Sequence, residues 1–191
     1  MRAVSTFALA APLAIVAAMA GPLTAPLAMA QSVPPSFPTR DVAVSYRSAN
    51  GTDLQMAWLV SERKVRIDIP GGAGAVVMDM RSGKNMMLME DQRMASEVTA
   101  DGVPPQVVQL PEGATYTREG TETVAGLTCT VWSTEFQNTR SRACVTNDGV
   151  LLRARAEGET DGLEAVKVTY APQDPGRFRV PRDFLIVPGG R

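Results

Sequence analysis

The chain has 191 residues, a formal net charge of −1, two cysteines and no histidine. Without histidine, the usual general base and the commonest metal ligand are absent, so a Ser/His/Asp or Cys/His catalytic arrangement is excluded. The near-zero charge gives no indication of a nucleic-acid partner or of an anionic membrane surface. Carboxylate pairs remain possible, since Asp79, Glu90 and Asp91 lie near one another in the sequence, but no supporting motif accompanies them. We therefore expect a protein that is not an enzyme and that has no cofactor.

The N-terminal residues 1–30 have the features of a cleavable export signal. Arg2 precedes an apolar, alanine-rich run over Phe7–Ala20, and a stretch of small residues ends in Ala28-Met29-Ala30. This Ala-x-Ala pattern is typical of a signal peptidase site, so we predict cleavage after Ala30, with Ala20 as the alternative. A retained membrane anchor is the other interpretation, but proline interrupts the apolar run before it reaches spanning length. The sequence predicts a periplasmic protein.

The rest of the chain alternates short apolar runs with turn signals. Residues 31–40 are predicted to be an extended, loose, proline-rich leader, and residues 41–191 a single domain. Lys64–Ile69 shows the clearest alternation of apolar and polar residues, which is typical of a half-buried strand. Asn50 and Gly51 form a strong hairpin signal. About ten strands follow in this manner, with almost no helical periodicity.

So many strands joined by hairpins have to curl in order to cover their apolar face. The predicted fold class is mainly β, with a single strongly curved antiparallel sheet, or half-open barrel. The strand pattern loosens over residues 91–113, where Pro104, Pro105 and Pro111 exclude a long helix. A helix of one or two turns is predicted from Pro104 to Leu110, and residues 91–113 as a whole are the best candidate for a lid or a crossing loop.

Methionine is concentrated in one predicted hairpin and its exit, at Met78, Met80, Met86, Met87, Met89 and Met94. A turn at residues 81–84 would pair Met80 with Asn85 and place Met78 opposite Met87. Three interpretations remain open. The side chains could fill the core, form a pliable wall for an apolar ligand, or bind a soft metal such as Cu(I). The metal hypothesis would use Met86, Met87 and Met89.

The two cysteines lie on the two strands of one predicted hairpin. If the chain turns near residues 136–138, Cys129 lies directly opposite Cys144, and Trp132 lies opposite Ser141. A bridge that closes a loop of about 15 residues should stabilise the fold by roughly 3 kcal/mol. A pair of buried free thiols is the alternative, but the export signal favours the disulfide.

A longer pattern surrounds these cysteines. Gly120–Trp132 reads G-T-E-T-V-A-G-L-T-C-T-V-W, and Ala143–Leu152 reads A-C-V-T-N-D-G-V-L-L. Both stretches resemble a group of uncharacterised exported bacterial domains that share G-x-x-x-(I/V)-x-G-x-x-C-x-x-W and a following (V/C)-T-x-D-G-(L/V) hairpin. The opening at Pro38–Tyr46 and the ending at Phe178–Pro181 are also similar to that group.

Such domains are similar to the superfamily of LolA/LolB-like lipoprotein carriers and to the sensor domain of RseB. In that superfamily a strongly curved antiparallel half-barrel holds acyl chains under a helical lid. The resemblance implies this fold and a role in binding, but it transfers no catalytic or ligand-contacting residue to this chain.

The expected function is a periplasmic, non-enzymatic binding module for an acyl chain, a lipid or another apolar ligand. The candidate wall residues are Trp58, Met78, Met87, Leu88 and Trp132. One alternative is a structural or protein-interaction domain of the cell envelope without a small ligand. The other is a methionine-rich copper-handling protein. The expected partner is accordingly an apolar small molecule, a lipid or an envelope protein.

Overall fold

A computed structural model of the chain describes residues 33–99, 110, 113–159 and 162–189. The export signal predicted for residues 1–30 and most of the helix predicted for residues 104–110 lie outside the described residues. The described part contains twelve strands and short 3-10 turns, without an α-helix. The strands are β1 (Val42–Ser48), β2 (Asp53–Leu59), β3 (Lys64–Asp68), β4 (Gly74–Asp79), β5 (Asn85–Met89), β6 (Met94–Val98), β7 (Thr115–Val124), β8 (Leu127–Phe136), β9 (Thr139–Val145), β10 (Leu151–Ala156), β11 (Gly162–Tyr170) and β12 (Leu185–Val187).

All twelve strands belong to one sheet in the order β12-β6-β5-β4-β3-β2-β1-β11-β10-β9-β8-β7. The sheet consists of two meanders, β1–β6 and β7–β11, in which strands that follow one another in the chain are neighbours. The meanders meet where β1 pairs with β11 in the middle of the sheet. This arrangement confirms the prediction of a single curled sheet in a mainly β protein.

Two details refine the predicted sheet. The described residues contain twelve strands, close to the predicted ten, and the sheet is mixed because β12 runs parallel to β6. The C-terminal residues 171–184 explain the second difference. Phe178 packs against Ala57, Leu59 and Leu88, so this segment passes over the face of the sheet before β12 joins its edge. A strand that arrives after such a crossing can enter in either direction, whereas a hairpin can only produce an antiparallel pair.

The methionine hairpin has a different register from the predicted one. Asn85 pairs with Met78, and Met87 pairs with Val76, so Met80 lies in the loop. Asp79 fixes this loop, because its carboxylate accepts hydrogen bonds from the backbone N–H groups of Arg81 and Ser82 at 2.9 and 3.0 Å. These hydrogen bonds lower the pKa of Asp79. The shift is two residues, so Met78 and Met87 remain on the same face of the sheet.

The cysteine hairpin is also shifted by two residues. Gln137 and Asn138 both have positive φ angles, 48° and 63°, as a tight two-residue hairpin turn requires. Cys144 therefore lies opposite Val131 instead of Cys129, and Trp132 lies opposite Ala143 instead of Ser141. The predicted disulfide is nevertheless confirmed, because Cys129 and Cys144 are bonded across this diagonal with their Cα atoms 5.4 Å apart.

The buried apolar residues form three clusters. The main cluster joins β1–β4 to β7–β11, so it lies on the face around which the sheet curls, the inner face. The second cluster, on the opposite face, packs Phe178 against β2, β4, β5 and β6. The third cluster surrounds Trp132. The main cluster consists of Val42, Val44, Tyr46, Met56, Trp58, Val65, Ile67, Val76, Met78, Val124, Cys129, Val131, Cys144, Val150, Leu152, Leu163 and Ala165.

Candidate functional site

The inner face of the first meander is built from cross-strand rows of side chains. Strands β1–β6 pair in continuous register, so directly opposed residues point to the same face. One row runs through Trp58 and Met78, and the adjacent row runs through Met56 and Met87. The first row consists of Val42, Trp58, Val65, Met78, Asn85 and Val98.

The methionine end of these rows is the softest part of the inner face. Met78 is buried in the main cluster, whereas Met80, Met87 and Val98 pack against that cluster and are only half-buried. Methionine has three rotatable bonds and a polarizable sulfur, so it can repack around objects of different shape. This edge therefore combines an apolar surface with side chains that can adapt.

Trp58 is the unusual member of the row. Its side chain is 2% exposed, and its buried Nε1–H group has no hydrogen-bond partner among the described residues. Tyr46, in the same cluster, behaves differently, because its hydroxyl donates a 2.7 Å hydrogen bond to the carbonyl oxygen of Leu151. Burial raises the pKa of the Tyr46 hydroxyl, so it remains a neutral donor. Trp58 is thus a polar group without a partner in an apolar setting.

The structure divides the five predicted wall residues among the three clusters. Trp58, Met78 and Met87 share the main cluster. Leu88 lies on the opposite face in the second cluster, and Trp132 lies in the third, where Leu151 and Tyr116 pack against it. Alternation along a strand explains Leu88, because it follows Met87 directly and must point the other way.

The alternation of side chains along β5 also argues against the predicted copper site. Met86 packs against the second cluster, whereas its neighbour Met87 packs against the main cluster on the other face. Met86 and Met87 therefore point away from each other and cannot share one ion in this structure. No group of three or more His, Cys, Asp or Glu side chains within the described residues could hold a metal ion.

Sequence reasoning missed the part that the leader plays. Phe37 packs against the main cluster, and Pro34 and Pro38 are buried, so the leader is docked instead of loose. The guanidinium of Arg63 lies over the Phe37 ring at 4.8 Å. A signal was available, because Phe37 is the single aromatic residue of the leader and stands between prolines that restrict the backbone.

Asp148 holds the leader to the β9–β10 turn. Its backbone oxygen accepts a 2.9 Å hydrogen bond from the Thr39 N–H, and its carboxylate accepts one from Arg40 Nε at 2.9 Å. Arg40 also lies over the Tyr170 ring at 3.6 Å. Partial burial opposes ionisation of Asp148, but hydrogen bonds from Thr146, Arg40 and Tyr170 outweigh it and lower the pKa of this carboxyl.

A groove of about 500 Å³ lies on the opposite face, between residues 174–184 and strands β3 and β5. It is rich in arginine, but carboxylates pair with the cations. Arg66 Nη2 lies 2.7 Å from Glu90 Oε1, and Arg177 Nη2 lies 3.1 Å from Asp68 Oδ2. These pairs tie the C-terminal segment to the sheet, so the groove does not present an excess of positive charge to an anion.

Comparison with known proteins gives a likeness of fold. No protein-family model matches the chain, and no curated protein matches it in sequence. An uncharacterized conserved protein from Thermus thermophilus is 12% identical with a TM-score of 0.56, over 78% of this chain and 91% of that one. MucB is 14% identical with a TM-score of 0.54, over 78% of this chain and 60% of MucB.

MucB also matches in the Pseudomonas aeruginosa MucA/MucB complex, with a TM-score of 0.50. In the match to MucB alone, this chain spans about 60% of the length of MucB. The LolA superfamily protein NE2245 from Nitrosomonas europaea is 12% identical over 75% of this chain and 92% of its own, and its TM-score of 0.33 does not establish a shared fold. Among the described residues, no helix has the length and apolar character needed to cross a membrane. The chain thus shares its fold with MucB and with the Thermus protein.

Proposed function

We propose that this protein is a non-enzymatic binding module of the periplasm that holds an apolar ligand, such as an acyl chain, at the methionine end of its inner face. One observation carries the proposal. Trp58, Met78 and Met87 share one cluster on the inner face, and the edge of that cluster at Met80 and Met87 is half-buried and adaptable. Apolar surfaces rich in methionine can repack and recur where proteins bind partners of different shape.

The periplasmic part of the proposal is supported by the cysteine pair. Both cysteines are consumed in one disulfide, and disulfides persist in oxidising compartments such as the bacterial periplasm. The export signal predicted for residues 1–30 agrees with this location.

The direct test compares two neighbouring methionines. Met87→Gln places a polar amide on the inner face, whereas Met86→Gln makes the same change on the opposite face. Both proteins, together with the wild type, would be stripped of lipid and titrated with N-phenyl-1-naphthylamine, an uncharged fluorescent apolar probe. Mass spectrometry of an organic extract of the untreated protein would identify any lipid that copurifies.

We expect the wild type and Met86→Gln to bind the probe equally and Met87→Gln to bind at least about fivefold more weakly, because burial of the amide opposes an apolar ligand. An empty extract together with no probe binding by the wild type would contradict the proposal. Equal loss in both variants would show that the inner face is not the site.

A protein-interaction role is the second candidate, and the sheet edge favours it. Leu185 and Ile186 on the edge strand β12 are 64% and 66% exposed, and exposed apolar edge strands tend to pair with other chains. Crosslinking in cells followed by pull-down would compare Leu185→Ser with Val166→Ser, a change at another exposed apolar residue. A partner lost only with Leu185→Ser would support this role.

A further inference from the structure

A pocket of about 320 Å³ lies where β10 meets β11 and the end of β1. Three arginine side chains line it, Arg47, Arg153 and Arg155, together with one carboxylate, Glu164. We call it the arginine pocket. None of the methionines of the inner face lines it, so it is separate from the site proposed above.

Carboxylates neutralise two of these three arginines. The Nη1 and Nε atoms of Arg153 lie 2.5 and 2.9 Å from glutamate oxygens, and Arg47 Nε lies 2.9 Å from Asp53 Oδ1. Arg155 is exposed, and its side chain makes no ion pair or hydrogen bond among the described residues. A guanidinium has five N–H donors, so the pocket contains an uncompensated cation with all its donors unused. Each arginine that lines the groove beside the C-terminal segment has, in contrast, a carboxylate partner.

The position of Arg155 in the sheet is unfavourable without an anion. It lies directly opposite Arg142 on β9. Like charges directly opposed on an antiparallel pair of strands destabilise the pairing. Arg142 has a partner in Glu119, whereas Arg155 has none among the described residues. An anion beside Arg155 would both accept its hydrogen bonds and reduce this repulsion.

Gly162 makes room for the guanidinium on the other side. It lies directly opposite Arg155 on β11. A Cβ at residue 162 would lie 2.8 Å from the carbonyl oxygen of Ala154 and 3.4 Å from Arg155 Nε. Gly162 does not belong to the glycines with a positive φ, so what this glycine provides is space. The missing side chain keeps the pocket open beside Arg155.

The donor set indicates which anion fits. Guanidinium groups bind carboxylates and phosphates through paired N–H···O bonds, and arginine is the preferred residue for such planar recognition. A phosphate monoester carries about two negative charges near neutral pH and has three strong acceptor oxygens. It can therefore accept from more than one arginine and offset more positive charge than a carboxylate can.

We propose that the arginine pocket binds a phosphate monoester group, with Arg155 as its main contact and Arg47 beside it. The proposal goes beyond the proposed function and does not depend on it, because the two sites share no lining side chain. The phosphate could belong to a soluble compound or to a lipid headgroup, and the experiment separates these sources.

The test compares the wild type with Arg155→Gln and Arg118→Gln by calorimetric titration of inorganic phosphate and of glycerol 3-phosphate. Arg118 is the matched control, because it is also an exposed strand arginine without an ion pair among the described residues but does not line the pocket. Sedimentation with phosphatidylcholine vesicles, with and without phosphatidic acid, tests a phosphate monoester on a lipid. Circular dichroism melts verify that the variants fold.

We expect the wild type and Arg118→Gln to bind the soluble phosphates equally, and Arg155→Gln to bind at least about tenfold more weakly. Retention on the vesicles that contain phosphatidic acid, lost in Arg155→Gln, would assign the phosphate to a lipid. Retention on neither kind of vesicle would assign it to a soluble compound. No binding of the soluble phosphates or the vesicles by the wild type would overturn the proposal. Unchanged binding in Arg155→Gln, or an equal loss in both variants, would overturn it as well.

A second measurement follows the guanidinium itself. Arginine Nε–H groups give signals in a nitrogen-15 spectrum, and Arg155→Gln identifies the signal of Arg155 by its loss. Phosphate should move this signal in a saturable manner, as a new charge-assisted hydrogen bond requires, and acetate at the same ionic strength should move it less. A signal that phosphate leaves in place, or that acetate moves equally, would contradict the assignment.

Discussion

The two meanders of the sheet differ in the regularity of their strand pairing and in covalent crosslinking. Strands β2–β6, the methionine half, pair in continuous register and use soft side chains on both faces. Strands β7–β10, the cystine half, contain register shifts between Arg118 and Gly120 and between Leu151 and Arg153. The disulfide joins Cys129 to Cys144 within this second half.

The two halves differ in how far their inner surface can change shape. The cystine half exposes most side chains of its edge strand β7 and is crosslinked by the disulfide between β8 and β9. The methionine half has a regular backbone and variable side chains, so it can change its inner surface without losing its strand pairing. The proposed ligand lies in the half that is regular in backbone and pliable in packing.

Removal of the disulfide should have the largest effect on this contrast. The double change Cys129→Ala and Cys144→Ala is expected to lower the free energy of unfolding by about 3 kcal/mol and the melting temperature by about 10 °C. Circular dichroism melts measure the shift, and wild-type protein in reductant should match the variant. Hydrogen exchange should rise in β7–β10 more than in β2–β6. A melt that reductant leaves unchanged would contradict the prediction.

Gly149 tests how the leader connects the two halves. Its φ is 89°, and a Cβ there would lie 2.3 Å from the carbonyl oxygen of Phe37. Gly149→Ala should lower the free energy of unfolding by about 2 kcal/mol, through the left-handed backbone and the displaced leader.

The control is Gly158→Ala, which has a similar φ of 81° but meets no atom within 4 Å. It should cost about 1 kcal/mol, the cost of the backbone alone. Urea unfolding measures both variants. Equal losses would mean that the leader contributes nothing through this contact.

Tyr46 joins β1 to β10 through the hydrogen bond to Leu151 O. Tyr46→Phe leaves that carbonyl without its donor and should cost about 1–2 kcal/mol in urea unfolding. Tyr170→Phe is the comparison, because its hydroxyl makes a longer 3.2 Å hydrogen bond to Asp148 in a less buried place. The Tyr170 change should cost less, and the reverse order would show that the two meanders are not held together at Tyr46.

Asp148 gives the smallest expected effect, as a dependence on pH. Its pKa is lowered in the folded state, so the unfolded chain binds more protons between that value and the ordinary pKa of about 3.9. The stabilisation is present above about pH 4 and is lost as the pH falls through the folded-state pKa. Asp148→Asn should therefore reduce the loss of stability between about pH 6 and pH 3, as urea midpoints would measure. An identical pH dependence in both proteins would exclude this role.

Much of the fold could be predicted from the sequence, and much of the site could not. Strand alternation and turn residues identified the curled sheet, and the two cysteines identified the bridge. The hairpin registers were wrong by two residues, because side-chain periodicity is unchanged by a shift of two. The alternation of side chains along the strands therefore placed Met78 and Met87 on one face correctly but gave them the wrong cross-strand partners.

The division of Trp58 from Trp132 could not be foreseen, since each occupies an apolar run on a different meander. Their positions relative to one another depend on how far the sheet curls, and that is decided by contacts between residues distant in the chain. The docked leader was missed for the same reason. Phe37 lies against the β9–β10 turn, whose residues come more than a hundred positions later in the chain, and side-chain periodicity does not reveal such a distant contact.

The central position of β1 has a consequence for how the chain acquires its shape. Each meander can assemble from local hairpins, which close quickly because few residues separate the paired strands. The pairing of β1 with β11 joins the first strand to the eleventh, so it is the most non-local step and the one expected to limit the rate. We expect the two meanders to form quickly and the pairing of β1 with β11 to follow slowly. Until that pairing forms, the apolar inner surface is exposed to water.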